Sequence, residues 1–158
     1  MLHVHGLPRY GIVMKGTLER AIAIAAEAHA GQKDKAGAPY VLHPLRVMLQ
    51  QTSLEGRMAA VLHDVVEDTP WTLDGLRAEG FPEEVIAAVD ALTRRPNESY
   101  EAFVQRAGAN AIARAVKRAD LLDNLDLSRL PNPTERDLER LERYRQALRV
   151  LDDAERQA

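Results

Sequence analysis

The chain has 158 residues, 46% hydrophobic and 28% charged, with a formal net charge of -3. That balance fits one soluble globular domain with its own core, and it excludes a global basic field for nucleic acid, although 21 Lys and Arg can still build a local basic pocket. Cys is absent, so disulfides, thiolate metal sites and cysteine nucleophiles are excluded, and any metal must be held by His, Asp, Glu or Asn.

Met1–Gly16 lacks the apolar stretch of a signal peptide, and no run approaches the ~20 apolar residues that span a bilayer. The expectation is a cytoplasmic protein without a membrane partner, with an N-terminal extension over 1–16 and a single domain over 17–158. Met14 is an alternative start. His3 and His5 are spaced to bind metal loosely, but a ragged tail is the simpler reading.

The elements read as helix after helix. Thr17 caps a helix over Leu18–Ala30, rich in good formers and ended by Gly31. A polar loop follows from Gln32 to Pro39, then a helix over His43–Gln51. Ser53 caps a helix over Leu54–Asp68, stopped by Pro70. Thr72–Glu79 is a short helix closed by Gly80, and Pro82 takes the first position of a helix running to Leu92. Ser99 caps a helix through Arg106, Asn110–Ser128 is a long helix, and Thr134–Glu155 is the last. β-Branched residues never alternate with polar ones over a useful length, so the expected fold class is all-α.

Chemistry concentrates in three segments. On the helix ending at Asp68, Met58, Ala59, Val61, Leu62, Val65 and Val66 share a core-facing arc, leaving His63, Asp64, Glu67 and Asp68 on the opposite one. Three carboxylates beside an imidazole repel one another unless a cation compensates. Spacing leaves two readings open, a solvated acidic face and a metal site. In the segment Val116–Asp126, Asp120 and Asn124 share a face beside Asp123, amid leucines. An inward Asp there needs a partner, although surface exposure explains the pattern equally. In the third, Ala28–Pro44, His29 closes one helix and His43 opens the next across a glycine-containing loop. Two imidazoles and two carboxylates suit Mn, Fe, Ni, Co or Zn, which acidify water and polarise a phosphoryl oxygen.

Together these segments resemble the HD hydrolase domain of RelA/SpoT-type proteins, and more narrowly the single-domain small alarmone hydrolases. The resemblance rests on Ala28-His29-Ala30-Gly31-Gln32, Gly37-Ala38-Pro39-Tyr40, His43-Pro44, His63-Asp64-Val65-Val66-Glu67-Asp68, and Ala119-Asp120 with Asn124. Their order and spacing agree over Leu18 to Leu130. The resemblance implies an HD-domain helical bundle around one metal, usually Mn2+. It implies hydrolysis of the 3′-pyrophosphate of (p)ppGpp in the stringent response, by a hydrolase without a synthetase domain. By matching positions, His43, His63, Asp64 and Asp120 are the implied metal ligands. Glu67 and Asp68 are the implied catalytic, water-activating pair, and Lys35, Asn124, Arg95 and Tyr144 the implied substrate-binding residues.

Some positions depart from the family. Asp34 stands where an Arg often packs on guanine, with Lys33 nearby as a substitute; Leu121 replaces a common Arg or Lys, and Asp123 a frequent His or Tyr. These departures leave guanine versus adenine open, so (p)ppApp is an alternative substrate. They also keep alive an HD-type phosphatase of a nucleoside monophosphate or NADPH, and a nucleotide-binding module without turnover. Arg94, Lys117, Arg118, Arg140 and Arg143 are further candidates to face phosphate or wall the pocket. The sequence does not specify an oligomeric state.

Overall fold

Side-chain caps set where most of the helices begin. In the computed structural model, which describes residues 15–158, Thr17, Ser53, Thr72, Ser99, Asn110 and Thr134 each accept a backbone N–H from the first turn that follows. The expectations about Met14, the His3–His5 pair and most of the 1–16 extension lie outside the described residues. The helices are α1 (Leu18–Ala28), α2 (Leu42–Leu49), α3 (Leu54–Leu62), α4 (Val65–Asp68), α5 (Leu73–Ala78), α6 (Glu83–Leu92), α7 (Tyr100–Gly108), α8 (Ala111–Leu125) and α9 (Glu135–Gln157). A 3-10 turn covers Leu127–Arg129. Among the described residues there is no strand, only an isolated bridge between Lys33 and Pro39. Nor is any helix among them long and apolar enough to cross a membrane.

Several helix ends shift by one or two residues from the sequence reading, and three differences have a definite structural origin. Pro82 is the cap before α6, not its first residue. The segment after Asn110 leaves α-geometry at Leu125, because the Asp126 side chain accepts the Ser128 N–H and starts the 3-10 turn. Most consequential, Leu54–Asp68 is two helices. The Ala60 carbonyl accepts both the backbone N–H of His63 and its Nδ1–H, at 3.4 and 2.6 Å. That diverts it from the regular ladder, and Asp64 sits at φ -101°, ψ -4°. His63, at the end of α3, keeps helical backbone angles and is nonetheless buried, at 3% exposure.

α3 is the central element and packs against α1, α2, α6 and α8. Ala59, Val61 and Leu62 are fully buried there, with Ile24, Val47, Ile86, Val89 and Val116 around them. A second cluster, Val104, Leu121, Ala147 and Leu151, seats α9 on α7 and α8. Apolar burial of this kind is the main stabilising term. Gly16 needs its left-handed φ of 65°, because a Cβ there would meet the Gly80 carbonyl oxygen at 2.2 Å.

The α6–α7 connection is tied by Arg106, which donates to Glu98 at 2.8 Å and to the carbonyls of Asp90 and Thr93. Arg106, and then the Arg95 N–H, hold the Glu98 carboxyl down to about 2. A depressed carboxylate stabilises the fold above its unfolded value, ~4.3, and the benefit is lost as pH falls through the folded value. Glu98→Gln is therefore expected to lower the urea midpoint at pH 7, with the gap to wild type closing by pH 2. A gap of constant size would contradict the role given to this ion pair.

Candidate metal centre

The end of α3 delivers His63 to the interior, while α2 and α8 deliver His43 and Asp120 to the same point. His43, His63 and Asp120 each offer a ligand atom within 4.8 Å of the others, and all three are buried. His43 Nε2 lies 3.1 Å from Asp120 Oδ1, and His63 Nε2 lies 3.0 Å from Asp64 Oδ2. Asp64 stands at the edge of this group, 3.8 Å from His43 Nε2, with the Tyr40 hydroxyl donating to it at 2.5 Å. Asn124 Nδ2 donates to Asp120 Oδ1 at 2.7 Å, and the Lys117 ammonium donates to its other oxygen at 2.8 Å.

The donor set fits a divalent ion. His63 spends its Nδ1–H on Ala60, so in the neutral ring Nε2 carries a lone pair. That buried Nε2 makes no hydrogen bond among the described residues. A lone pair facing a carboxylate oxygen at 3.0 Å repels it unless a positive charge lies between them. Burial works against charge on His63, but Asp64 and Asp120 outweigh it and hold the ring well above its ordinary value. His43 is raised too, with Asp120 and Asp123 overcoming burial. Burial pushes Asp64 up, yet the positive charge favoured on His63, and then the Tyr40 hydroxyl, hold it at about 2. The cluster stabilises positive charge, which one cation coordinated by neutral imidazoles supplies more fully than two protons.

Glu67 and Asp68 extend the acidic edge from α4. Glu67 accepts the Arg94 N–H at 3.0 Å, and both carboxylates are open to solvent. Partial desolvation, then the neighbouring carboxylates, raises both above the ordinary range despite that amide and the nearby histidines.

A cavity of about 300 Å³ opens beside Tyr40 and His43 and is lined also by Lys33, Lys35, Arg46, Asn124, Arg129, Arg140 and Tyr144. Lys35 and Arg140 converge on Asp137, at 3.2 and 2.8 Å. Asp137 also closes the capping box of α9, so the start of that helix places both cations. Asp34 lines the same cavity, but its carboxylate accepts the Ala36 and Ala38 N–H groups and serves its own loop.

Other sequence candidates lie elsewhere. Arg95 is not brought to the cavity: its guanidinium is exposed and lies 3.6 Å from Asp90. Arg94 reaches the Glu98 carbonyl, and Arg118 pairs with Asp152 on the outer face. Arg143 lines a separate α7–α9 groove with Tyr100. Lys117 is not a surface cation but a buried one, 4.9 Å from the centre of the Phe103 ring. Sequence reasoning assigned no part to Tyr40 or Asp123, which here hold Asp64 and His43. Tyr40 was visible as the last residue of Gly37–Tyr40, and Asp123 as the neighbour of Asn124.

The HD domain family model matches residues 21–153. The guanosine-3′,5′-bis(diphosphate) 3′-pyrophosphohydrolase of Aquifex aeolicus is 33% identical over 120 residues, 68% of this chain and 17% of that relative. The GTP pyrophosphokinase of Streptomyces coelicolor is 36% identical over 121 residues, 68% of this chain and 14% of the relative. This chain thus spans less than a fifth of the length of either. A solved metazoan ortholog of SpoT, which hydrolyzes ppGpp and plays a role in starvation responses, superposes with a TM-score of 0.67 at 26% identity. The match covers 89% of this chain and 94% of that one.

Proposed function

We propose a function from one premise: this chain belongs to the HD domain family. It is a metal-dependent hydrolase that removes the 3′-pyrophosphate of (p)ppGpp or a related purine alarmone, acting in the cytoplasm within the stringent response. The observation that carries this reading is the unpartnered, buried His63 Nε2 facing Asp64 beside His43 and Asp120, next to a cavity edged with cations. The name of the Aquifex aeolicus relative and the ppGpp hydrolysis of the metazoan SpoT ortholog support the same reading.

His43, His63, Asp64 and Asp120 would hold the ion, with Mn2+ the expected metal. A divalent ion there supplies Lewis acidity toward a phosphoryl oxygen and charge to offset the phosphates. The protein's own groups do the rest. Glu67 and Asp68 orient a water and take its proton as its oxygen attacks the phosphorus ester-linked to the 3′ oxygen. That P–O bond breaks, the departing 3′ oxygen takes up a proton from the protonated acid pair or from water, and pyrophosphate and the nucleotide with a free 3′-hydroxyl leave. Lys35 and Arg140, positioned by Asp137, offset the charge of the diphosphates. Asn124 holds Asp120, and Tyr144 offers an aromatic wall to the nucleoside.

The test is product analysis with ppGpp and ppApp, with Mn2+ and with chelator. Pyrophosphate release that disappears with chelator is expected. Orthophosphate as the product would instead favour a phosphatase of a nucleoside monophosphate or NADPH. Tight binding without any product would favour a non-catalytic module. Asp34, committed to its own loop, leaves no cation at that position to stack on guanine, so the rate with ppApp is expected within about tenfold of that with ppGpp.

A further inference from the structure

His43 is held from behind. Its Nδ1–H donates to Asp123 Oδ2 at 2.7 Å, which leaves the Nε2 lone pair to face Asp120 and Asp64. Arg46 in turn grips Asp123 with its fork, Nε to Oδ1 at 2.7 Å and Nη2 to Oδ2 at 3.0 Å. Arg129 donates to the Asp123 carbonyl at 2.8 Å and lies 3.3 Å from Oδ2. Asp123 is only 7% exposed. Helix packing does not call for a carboxylate there, since burying a charge is costly and an apolar side chain would fill the place more cheaply. The geometry answers a different demand, a fixed imidazole.

We propose that Asp123 is a positioning residue of the metal centre: it holds His43 in the tautomer and orientation that present Nε2 to the ion, braced by Arg46 and Arg129. An imidazole that donates Nδ1–H to a carboxylate is also a more basic ligand at Nε2. The three residues come from α2, α8 and the 3-10 turn, so they couple the wall of the cavity to the metal ligand. Arg46 is thereby paired with Asp123 at the wall of the cavity. The proposal rests on the metal-site reading above, but not on the identity of the substrate.

The test is calorimetric titration of Mn2+ into metal-free protein, with helix content and melting temperature recorded on the same samples. Asp123→Ala is expected to bind Mn2+ ~10–100-fold more weakly while it stays folded. Asp123→Asn keeps an oxygen that accepts the Nδ1–H and is expected to fall between Asp123→Ala and wild type. A folded Asp123→Ala that binds Mn2+ as tightly as wild type overturns the proposal and leaves the metal site standing. Should Asp123→Ala fail to fold, Asp123→Asn decides: ~3-fold or weaker binding supports the proposal, and unchanged affinity overturns it. No Mn2+ uptake by wild type overturns the metal-site reading, and the proposal with it.

Discussion

His63→Ala is expected to abolish metal-dependent pyrophosphate release, with kcat/KM falling by about 10³-fold or more. The ion's share of transition-state stabilisation is several kcal/mol, and each 1.36 kcal/mol is worth about tenfold in rate. The geometry makes His63 the most sensitive of the four candidate ligands. Its ring is held by Ala60 and buried, so its Nε2 is fixed where the other ligand atoms converge. Removing it also leaves Asp64 and Asp120 close together without the imidazole between them. A second readout separates loss of the site from loss of the fold. Wild type with Mn2+ at ~100 times its Kd gains about 2.7 kcal/mol of unfolding free energy by mass action. His63→Ala is expected to gain none. A folded variant that still gains this stabilisation and releases pyrophosphate at the wild-type rate would show that His63 is not a ligand.

How much of this was legible in the sequence depends on whether the signal was local. Thr17, Ser53 and Ser99 act as the caps their positions indicated, because a cap is an interaction across three residues, and Thr72, Asn110 and Thr134, read as first helical residues, turn out to be caps as well. The break at His63–Asp64 was not legible. The apolar spacing runs through it unchanged, whereas the His63 side chain turns back on the Ala60 carbonyl there. Helical spacing therefore placed His63 on the polar face, and the fold puts it in the interior. Asp120 and Asn124 share a face as their spacing required. Asp123 was noticed as a departure, but its partners His43 and Arg46 are 80 and 77 residues away, beyond any periodic pattern. Asp34 illustrates the converse. A charged loop residue suggests contact with ligand, whereas its carboxylate closes the turn that presents Lys35.

Glu67→Gln is expected to lower kcat by ~10²–10⁴-fold, the usual range for loss of a general base, with Mn2+ affinity and KM little changed. The distinction follows from geometry, because Glu67 stands beyond the cluster formed by His43, His63 and Asp120. The Arg94 N–H fixes its carboxylate and can still do so in the amide variant, whose Oε1 accepts the same bond. What the variant loses is the capacity to take a proton. Asp68→Asn is expected to behave alike, and the double variant to be little slower than the slower single one, because residues that act as a unit are not additive. Both carboxylates are raised by partial desolvation and by neighbouring carboxylates. The base must be ionised, so kcat should fall as pH drops through the titration of the acid pair. Asp68→Asn removes one of those neighbouring charges and should move that limb toward lower pH. A limb unmoved in Asp68→Asn, or Glu67→Gln turning over at the wild-type rate, would remove the acid pair from the chemistry and leave the metal ligands as its only protein catalysts.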